Sequence, residues 1–147
     1  MSDSPWKVQQ YCYFWLASEA LTAEQVTEHL GIEPDRTSVM GSRRTSPRVV
    51  PAAHRWEIQC ETHGRIGEQA STVLARIAPA AGRVRDLVDR GDVAAGLMMV
   101  RWFDDPKGGY NAMGWWMSAE QIQLLASMGA TVESDEYPGD FTAHSPL

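Results

Sequence analysis

The side chains best suited to metal binding or nucleophilic catalysis are four histidines and two cysteines. One suggestive spacing occurs among them, Cys60-Glu61-Thr62-His63, in which a thiol and an imidazole stand three residues apart. A structural zinc site needs four ligands, and nucleophilic catalysis needs a base held beside the thiol. The sequence offers no second ligand pair and no Gly-rich phosphate-binding motif. It therefore predicts no metal, no cofactor and no catalytic residue.

A second candidate for chemistry is the segment from Arg36 to Arg55, which contains five arginines and no acidic residue. Around Gly41 and Ser42 it combines backbone N–H groups with guanidinium groups, which together bind phosphate or carboxylate. The candidate residues for binding a small anion are Arg36, Arg43, Arg44 and Arg48. The alternative is a solvated loop that attracts the acidic residues between Glu133 and Asp140.

Aromatic residues form a third pattern, in a run from Val8 to Ala17 that is typical of a β-strand. Because side chains alternate along a strand, one face carries Cys12, Phe14 and Leu16 and the other carries an aromatic row. The adjacent Trp115 and Trp116 would likewise point to opposite faces of a strand. An aromatic face of this size should not lie bare in water. The candidate interface residues are Tyr11, Tyr13, Trp15 and Trp115.

Three candidates could bury this aromatic face: another protein, a second copy of the chain, or the segment 33–54 of the same chain. The net charge of −6 disfavours nucleic acid as a partner. No apolar run approaches the roughly 20 residues of a membrane span, and the amino-terminal residues do not resemble a signal peptide. We therefore expect a cytoplasmic protein with two reduced thiols and no membrane partner.

A repeated phrase indicates how these residues are positioned. Leu21-Thr22-Ala23-Glu24-Gln25-Val26 recurs as Met117-Ser118-Ala119-Glu120-Gln121-Ile122. In each copy a hydroxyl residue and a glutamine three positions later form a capping box that begins a helix. Gly31 and Gly129 end these helices, because glycine favours the left-handed conformation of a helix stop. The repeat predicts two related β-α-β units.

The remaining periodicities complete the predicted order β-α-β-α-α-β-β-α-β. The predicted strands and helices outside the repeat are 8–17, 55–61, 65–78, 94–103, 110–117 and 130–137, with a hairpin turn at 104–109. A short helix after Pro79 carries Val84, Leu87 and Val88 on its apolar side and stops at Gly91. Residues 33–54 are predicted to be a long Arg-rich loop and 139–147 a tail. This order predicts a single α+β domain over 1–147, with its core at about 8–138. Its mostly antiparallel sheet has helices on one face, as in ferredoxin-like units.

Several landmarks together resemble one known family. They are Leu30-Gly31-Ile32-Glu33-Pro34, Trp56-Glu57-Ile58, Trp116-Met117-Ser118 and Met128-Gly129-Ala130-Thr131-Val132. Their order over residues 10–138 resembles a bacterial family of domains of unknown function, numbered four-two-seven-nine. The resemblance implies a small cytoplasmic domain without established enzyme activity, similar to immunity-type proteins encoded near toxins. It implies no site residues.

The expected function is therefore a non-enzymatic protein-binding module, with an immunity-like role. The alternative is a binder of a small anionic ligand, or a minor enzyme, that uses the Arg36–Arg55 loop. The second face of the sheet discriminates between the two hypotheses. A protein interface there favours the binding module, and a closed pocket with convergent polar groups favours the ligand.

Overall fold

The computed structural model describes residues 7–42, 50–60, 64–104 and 114–138. The described strands form one sheet in the order β2-β3-β1-β4-β5. All neighbouring strands are antiparallel except β4 and β5, which are parallel. The predicted α+β class with a mostly antiparallel sheet is confirmed. The elements are β1 (Lys7–Ser18), α1 (Ala23–Leu30), β2 (Arg36–Ser38), β3 (His54–Gln59), α2 (Ile66–Ile77), a 3-10 turn (Ala78–Ala80), α3 (Ala81–Asp89), β4 (Ala94–Asp104), α4 (Ala119–Met128) and β5 (Thr131–Pro138).

The repeated phrase begins the helix of each of two β-α-β units. Strand β2 is antiparallel to β3, and β3 is antiparallel to β1. Helix α1 therefore connects two parallel strands, β1 and β2, between which β3 is inserted. Helix α4 connects the parallel strands β4 and β5, which are direct neighbours. The units differ in this insertion, but the predicted ferredoxin-like order is approximately right.

Both predicted capping boxes are present. The Gln25 N–H donates to Thr22 Oγ1 at 3.2 Å, and the Thr22 N–H donates to Gln25 Oε1 at 2.9 Å. The box that begins α4 has the same two bonds, at 3.1 and 3.0 Å. Gly31 and Gly129 follow the two helices with φ of 69° and 71°. Residues that carry a Cβ disfavour this left-handed conformation.

The four helices pack on one face of the sheet, as predicted. The core lies between the helices and the sheet, and both contribute apolar side chains to it. Its strand residues include Cys12, Phe14, Leu16, Trp56, Ile58, Leu97 and Met99, and its helix residues include Val26, Val73, Ile77, Leu87 and Leu125. No helix among the described residues is long and apolar enough to span a bilayer.

Two predicted elements differ from the structure. Residues 114–118 have no regular secondary structure, so the predicted returning strand is wrong at 114–117, and residues 105–113 lie outside the described part. The reason is that β4 pairs with β1 on one side and with β5 on the other, which leaves no edge for residues 114–117. In the predicted loop 33–54, Arg36–Ser38 instead pair with β3 as strand β2.

Candidate functional site

The structure places Tyr11, Tyr13 and Trp15 together on the sheet face opposite the four helices, which we call the open face. The same face of β4 carries Val100 and Trp102, since these residues pair in register with Tyr11 and Gln9. Val100 and Trp102 are buried, but they do not belong to the core cluster under the helices. The open face therefore has an apolar layer of its own.

Five aromatic rings on three neighbouring strands form what we call the aromatic strip: Tyr11, Tyr13, Trp15, Trp102 and Tyr137. The Tyr11 ring lies 6.0 Å from Tyr13 and 5.8 Å from Trp102, centroid to centroid. Trp102 in turn stacks on Tyr137 of β5 at 5.4 Å. Such distances are typical of favourable ring contacts. The strip thus crosses the sheet from β1 to β5.

Trp15 fits on the sheet because its neighbour on β4 is a glycine. Gly96 pairs with Trp15 on one side and with Thr131 on the other. A methyl group at Gly96 would stand 2.7 Å from Trp15 Cζ2 and 2.8 Å from Thr131 Oγ1. The indole ring therefore lies over the position that any other residue would fill. The indole N–H groups of Trp15 and Trp102 are buried and have no hydrogen-bond partner among the described residues.

One side of the strip is basic. Arg36 pairs in register with Glu57, which pairs with Trp15, so these residues share one row across the sheet. The Arg55 guanidinium carbon lies 5.2 Å from the centre of the Trp15 ring, and Arg55 Nε lies 3.2 Å from Glu57 Oε1. Arg36 is exposed to solvent. We call Arg36 and Arg55 the basic side; Glu57 offsets part of its charge.

Asp35 fixes the start of strand β2 and hence the position of Arg36. Its carboxylate accepts hydrogen bonds from Arg76 Nη1 at 2.6 Å and from the Gln59 N–H at 2.8 Å. Burial opposes ionisation of Asp35, but these bonds outweigh it and lower the pKa of the carboxyl. Arg76 also donates to the Gln59 carbonyl at 3.0 Å. Helix α2 thereby holds the β2–β3 edge in place.

The other side of the strip is acidic. Glu133 and Asp135 of β5 pair in register with Met98 and Val100, so both lie on the open face. A methyl group at Gly96 would touch both Trp15 and Thr131 Oγ1, so the open face of β5 lies beside Trp15. Strand β5 is exposed from Thr131 to Tyr137, and among the described strands it pairs only with β4. We call Glu133 and Asp135 the acidic side.

Burial dominates the electrostatics of the open face. It raises the pKa of Tyr13 to about 12, with a further contribution from the Glu57 carboxylate. It also raises the pKa of Tyr11, against the effect of Arg36, and the pKa of Glu57, against the effects of Arg55 and Arg36. Arg36 thus acts electrostatically on both Tyr11 and Glu57. The face disfavours new negative charge at its centre.

We expect the stability of the protein to fall between about pH 10 and 12 because of Tyr13. The unfolded phenol ionises near 10.0, whereas the folded one stays protonated to about 12, so the folded state binds more protons in this range. The free energy of unfolding should therefore decrease as the pH rises through it. Urea unfolding at several alkaline pH values, with tyrosinate absorbance, measures this. A Tyr13→Phe variant with the same alkaline loss would contradict the assignment.

The comparison with protein families identifies the chain. The model of one family matches residues 7–139, which include every described strand and helix. The chain belongs to the family Domain of unknown function (DUF4279). The predicted membership is thereby confirmed. No curated protein and no solved structure matches the chain.

In this DUF4279 domain one residue of the predicted anion site lies on the same sheet face as three of the predicted interface residues. Arg36, the first residue of the predicted anion site, lies on the open face beside Glu57. Arg43, Arg44 and Arg48 lie outside the described residues, so their part of that site stays a prediction. Of the predicted interface residues, the structure brings together Tyr11, Tyr13 and Trp15.

Trp115 is not a strand residue of the DUF4279 sheet. Residues 114–118 have no regular structure, and the side chains of Trp115 and Trp116 are 38% and 78% exposed. The alternation that we predicted for this pair is therefore wrong. Its place in the strip is taken by Trp102 and Tyr137. In the sequence, the alternation of Met98, Val100 and Trp102 along β4 indicates that Trp102 shares their face. Tyr137 joins the strip only through the parallel pairing of β4 and β5.

The thiols of the DUF4279 domain lie away from this face. Cys12 and Cys60 are both buried in the core, where the Cys60 N–H donates to the Cys12 carbonyl at 3.4 Å. Burial raises the pKa of Cys12 to about 12, so that thiol is a poor nucleophile. No group of three metal-binding side chains occurs in the described residues, and His63 lies outside them.

Proposed function

We propose that this DUF4279 chain is a non-enzymatic, cytoplasmic protein-binding domain, and that the open face is its recognition surface. The observation that carries the proposal is the aromatic strip flanked by a basic side and an acidic side. Tyrosine, tryptophan and arginine are enriched at the centres of protein interfaces, because rigid rings remove much apolar area from water at little entropic cost. The charged sides supply the orientation that apolar contacts lack.

The alternative, a small anionic ligand bound by arginines, has weaker support. An anion site needs several donors that converge on one point and are not already neutralised. Arg55 contacts Glu57 and the Trp15 ring, and Glu57 also lies opposite Arg36 in the strand register. In the described part of the chain this leaves the single guanidinium group of Arg36, and no convergent set of donors for a phosphate group. The Glu57 carboxylate and the acidic side disfavour a nucleic-acid strand along the open face.

The partner that we propose is a protein encoded beside this one, as an immunity-like role would imply. Its surface should be apolar at the centre, with acidic residues placed to meet Arg36 and basic residues placed to meet Glu133 and Asp135. This pattern distinguishes it from a partner that binds by charge alone. Its affinity should fall only moderately with added salt, because buried apolar area is not screened.

The test is binding of the proteins encoded by the two flanking genes, measured by isothermal titration calorimetry with the purified full chain. A Tyr13→Ala variant should weaken binding at least about 30-fold, the effect of losing a central aromatic side chain. The matched control is Trp116→Ala, which removes an exposed aromatic ring outside the sheet. The proposal would be overturned if the chain bound neither of the two proteins, or if Trp116→Ala weakened binding and Tyr13→Ala did not.

A further inference from the structure

We propose that the open face also closes on the same face of a second copy of this chain, around a two-fold axis parallel to β1. The inference rests on the proposed function, because the second copy uses the same recognition surface and would compete with a flanking-gene protein for it. It follows from the order of the strands and from the charges on the two sides of the aromatic strip.

The strand order makes the face symmetric about β1. Strand β1 is the middle one of five, with β3 and β2 on one side and β4 and β5 on the other. A two-fold rotation about an axis along β1, lying in the contact plane, exchanges these sides. It places β2 of one copy over β5 of the other, and β3 over β4. Strand directions stay aligned, as in common packings of two sheets.

The charges select this axis over the other one available in the plane. With the axis along β1, Arg36 on β2 comes opposite Thr131 on β5 of the second copy, because both lie in the row of Trp15. Glu133 is then the nearest acidic residue on the open face of β5, about 7 Å along that strand, and the same contact occurs twice. With the axis perpendicular to the strands, β2 would lie over β2 and β5 over β5. Two pairs of acidic residues would then face each other, which is unfavourable.

The centre of the face is apolar enough to close on itself. Tyr11 and Tyr13 of the middle strand would meet their own equivalents, and both are half-buried in the single chain. At a strand spacing of ~4.8 Å and a rise of ~3.3 Å per residue, the five strands present about 20 by 25 Å. Two such faces bury on the order of 1,000 Å², the lower end of specific interfaces. We therefore expect micromolar affinity and exchange between monomer and dimer.

The test is sedimentation velocity of the full chain over a range of concentrations, with two charge-reversal variants. Wild type should form a dimer. Arg36→Glu and the double variant Glu133→Lys/Asp135→Lys should each weaken the dimer at least about tenfold, since each puts like charges opposite each other. An equimolar mixture of the two variants should restore dimers, because opposite charges then meet at both contacts. The controls Arg90→Glu, just after α3, and Glu28→Lys, on α1, reverse exposed charges away from the open face and should leave the dimer unchanged.

Three results would overturn the inference. A wild-type monomer at about 100 µM, dimers that survive both reversals, or a mixture that stays monomeric would each do so. Failure of this inference is distinguishable from failure of the proposed function. If wild type is monomeric while Tyr13→Ala still loses binding of a flanking-gene protein, the open face binds a different protein and only the self-association is wrong.

Discussion

Replacing Gln69 by leucine should lower the free energy of unfolding by about 3 kcal/mol, because a buried N–H and a part-buried carbonyl of β1 would lose their hydrogen bonds. Gln69 is 2% exposed on α2. Its Oε1 accepts from the Cys12 N–H at 3.1 Å, and its Nε2 donates to the Gln10 carbonyl at 3.2 Å. Strand β3 pairs with β1 only from Tyr13 to Ser18. The glutamine amide therefore substitutes for the missing strand neighbour at residues 10–12.

Urea unfolding of Gln69→Leu measures this effect, and Gln123→Leu on the exposed face of α4 is the matched control. A second variant, Gln69→Glu, keeps an acceptor for Cys12 but buries a carboxyl group. Burial raises the pKa of such a group above its unfolded value, so the variant should lose stability as the pH rises above about 4. A Gln69→Leu midpoint equal to that of the control would show that the amide does not support β1.

The sequence could not reveal the role of Gln69. It lies on the same stripe of α2 as Ile66, Ala70 and Val73, but a glutamine in a helix ordinarily faces solvent. Its partners are 57 and 59 residues away in the chain. The helix ends, by contrast, were predictable because every capping contact joins residues three or four positions apart. Local periodicity thus reveals elements, whereas contacts between distant segments require the fold.

The residues of the candidate site show the same contrast between local patterns and contacts of distant segments. Alternation along β1 was enough to place Tyr11, Tyr13 and Trp15 on one face, because it depends on a single strand. The prediction for Trp115 assumed that the next strand-like run pairs back on β4, and the parallel strand β5 occupies that edge instead. Strand β2 has only three residues and no apolar alternation, so its position beside β3 left no mark in the sequence.

Gly96→Ala should be the most damaging single methyl addition on the open face. The new methyl would stand 2.7 Å from Trp15 Cζ2 and 2.8 Å from both Trp15 Cε2 and Thr131 Oγ1. The backbone of two paired neighbours limits how far β4 can move, so the indole ring must shift. Overpacking of this kind costs about 1–3 kcal/mol. Gly82→Ala on α3 has open space around it and should instead stabilise by about 0.5–1 kcal/mol.

A double-mutant cycle shows whether the cost arises at Trp15. If the indole ring is the obstacle, Gly96→Ala should cost at least about 1 kcal/mol less in a Trp15→Ala background, since neighbouring substitutions that share a contact are not additive. Chemical denaturation of the four proteins gives the coupling energy. Equal costs in the two backgrounds would place the obstacle at Thr131 instead. Because Trp15 contacts Arg55 of the basic side, a displaced ring should also weaken the binding that we propose for the open face.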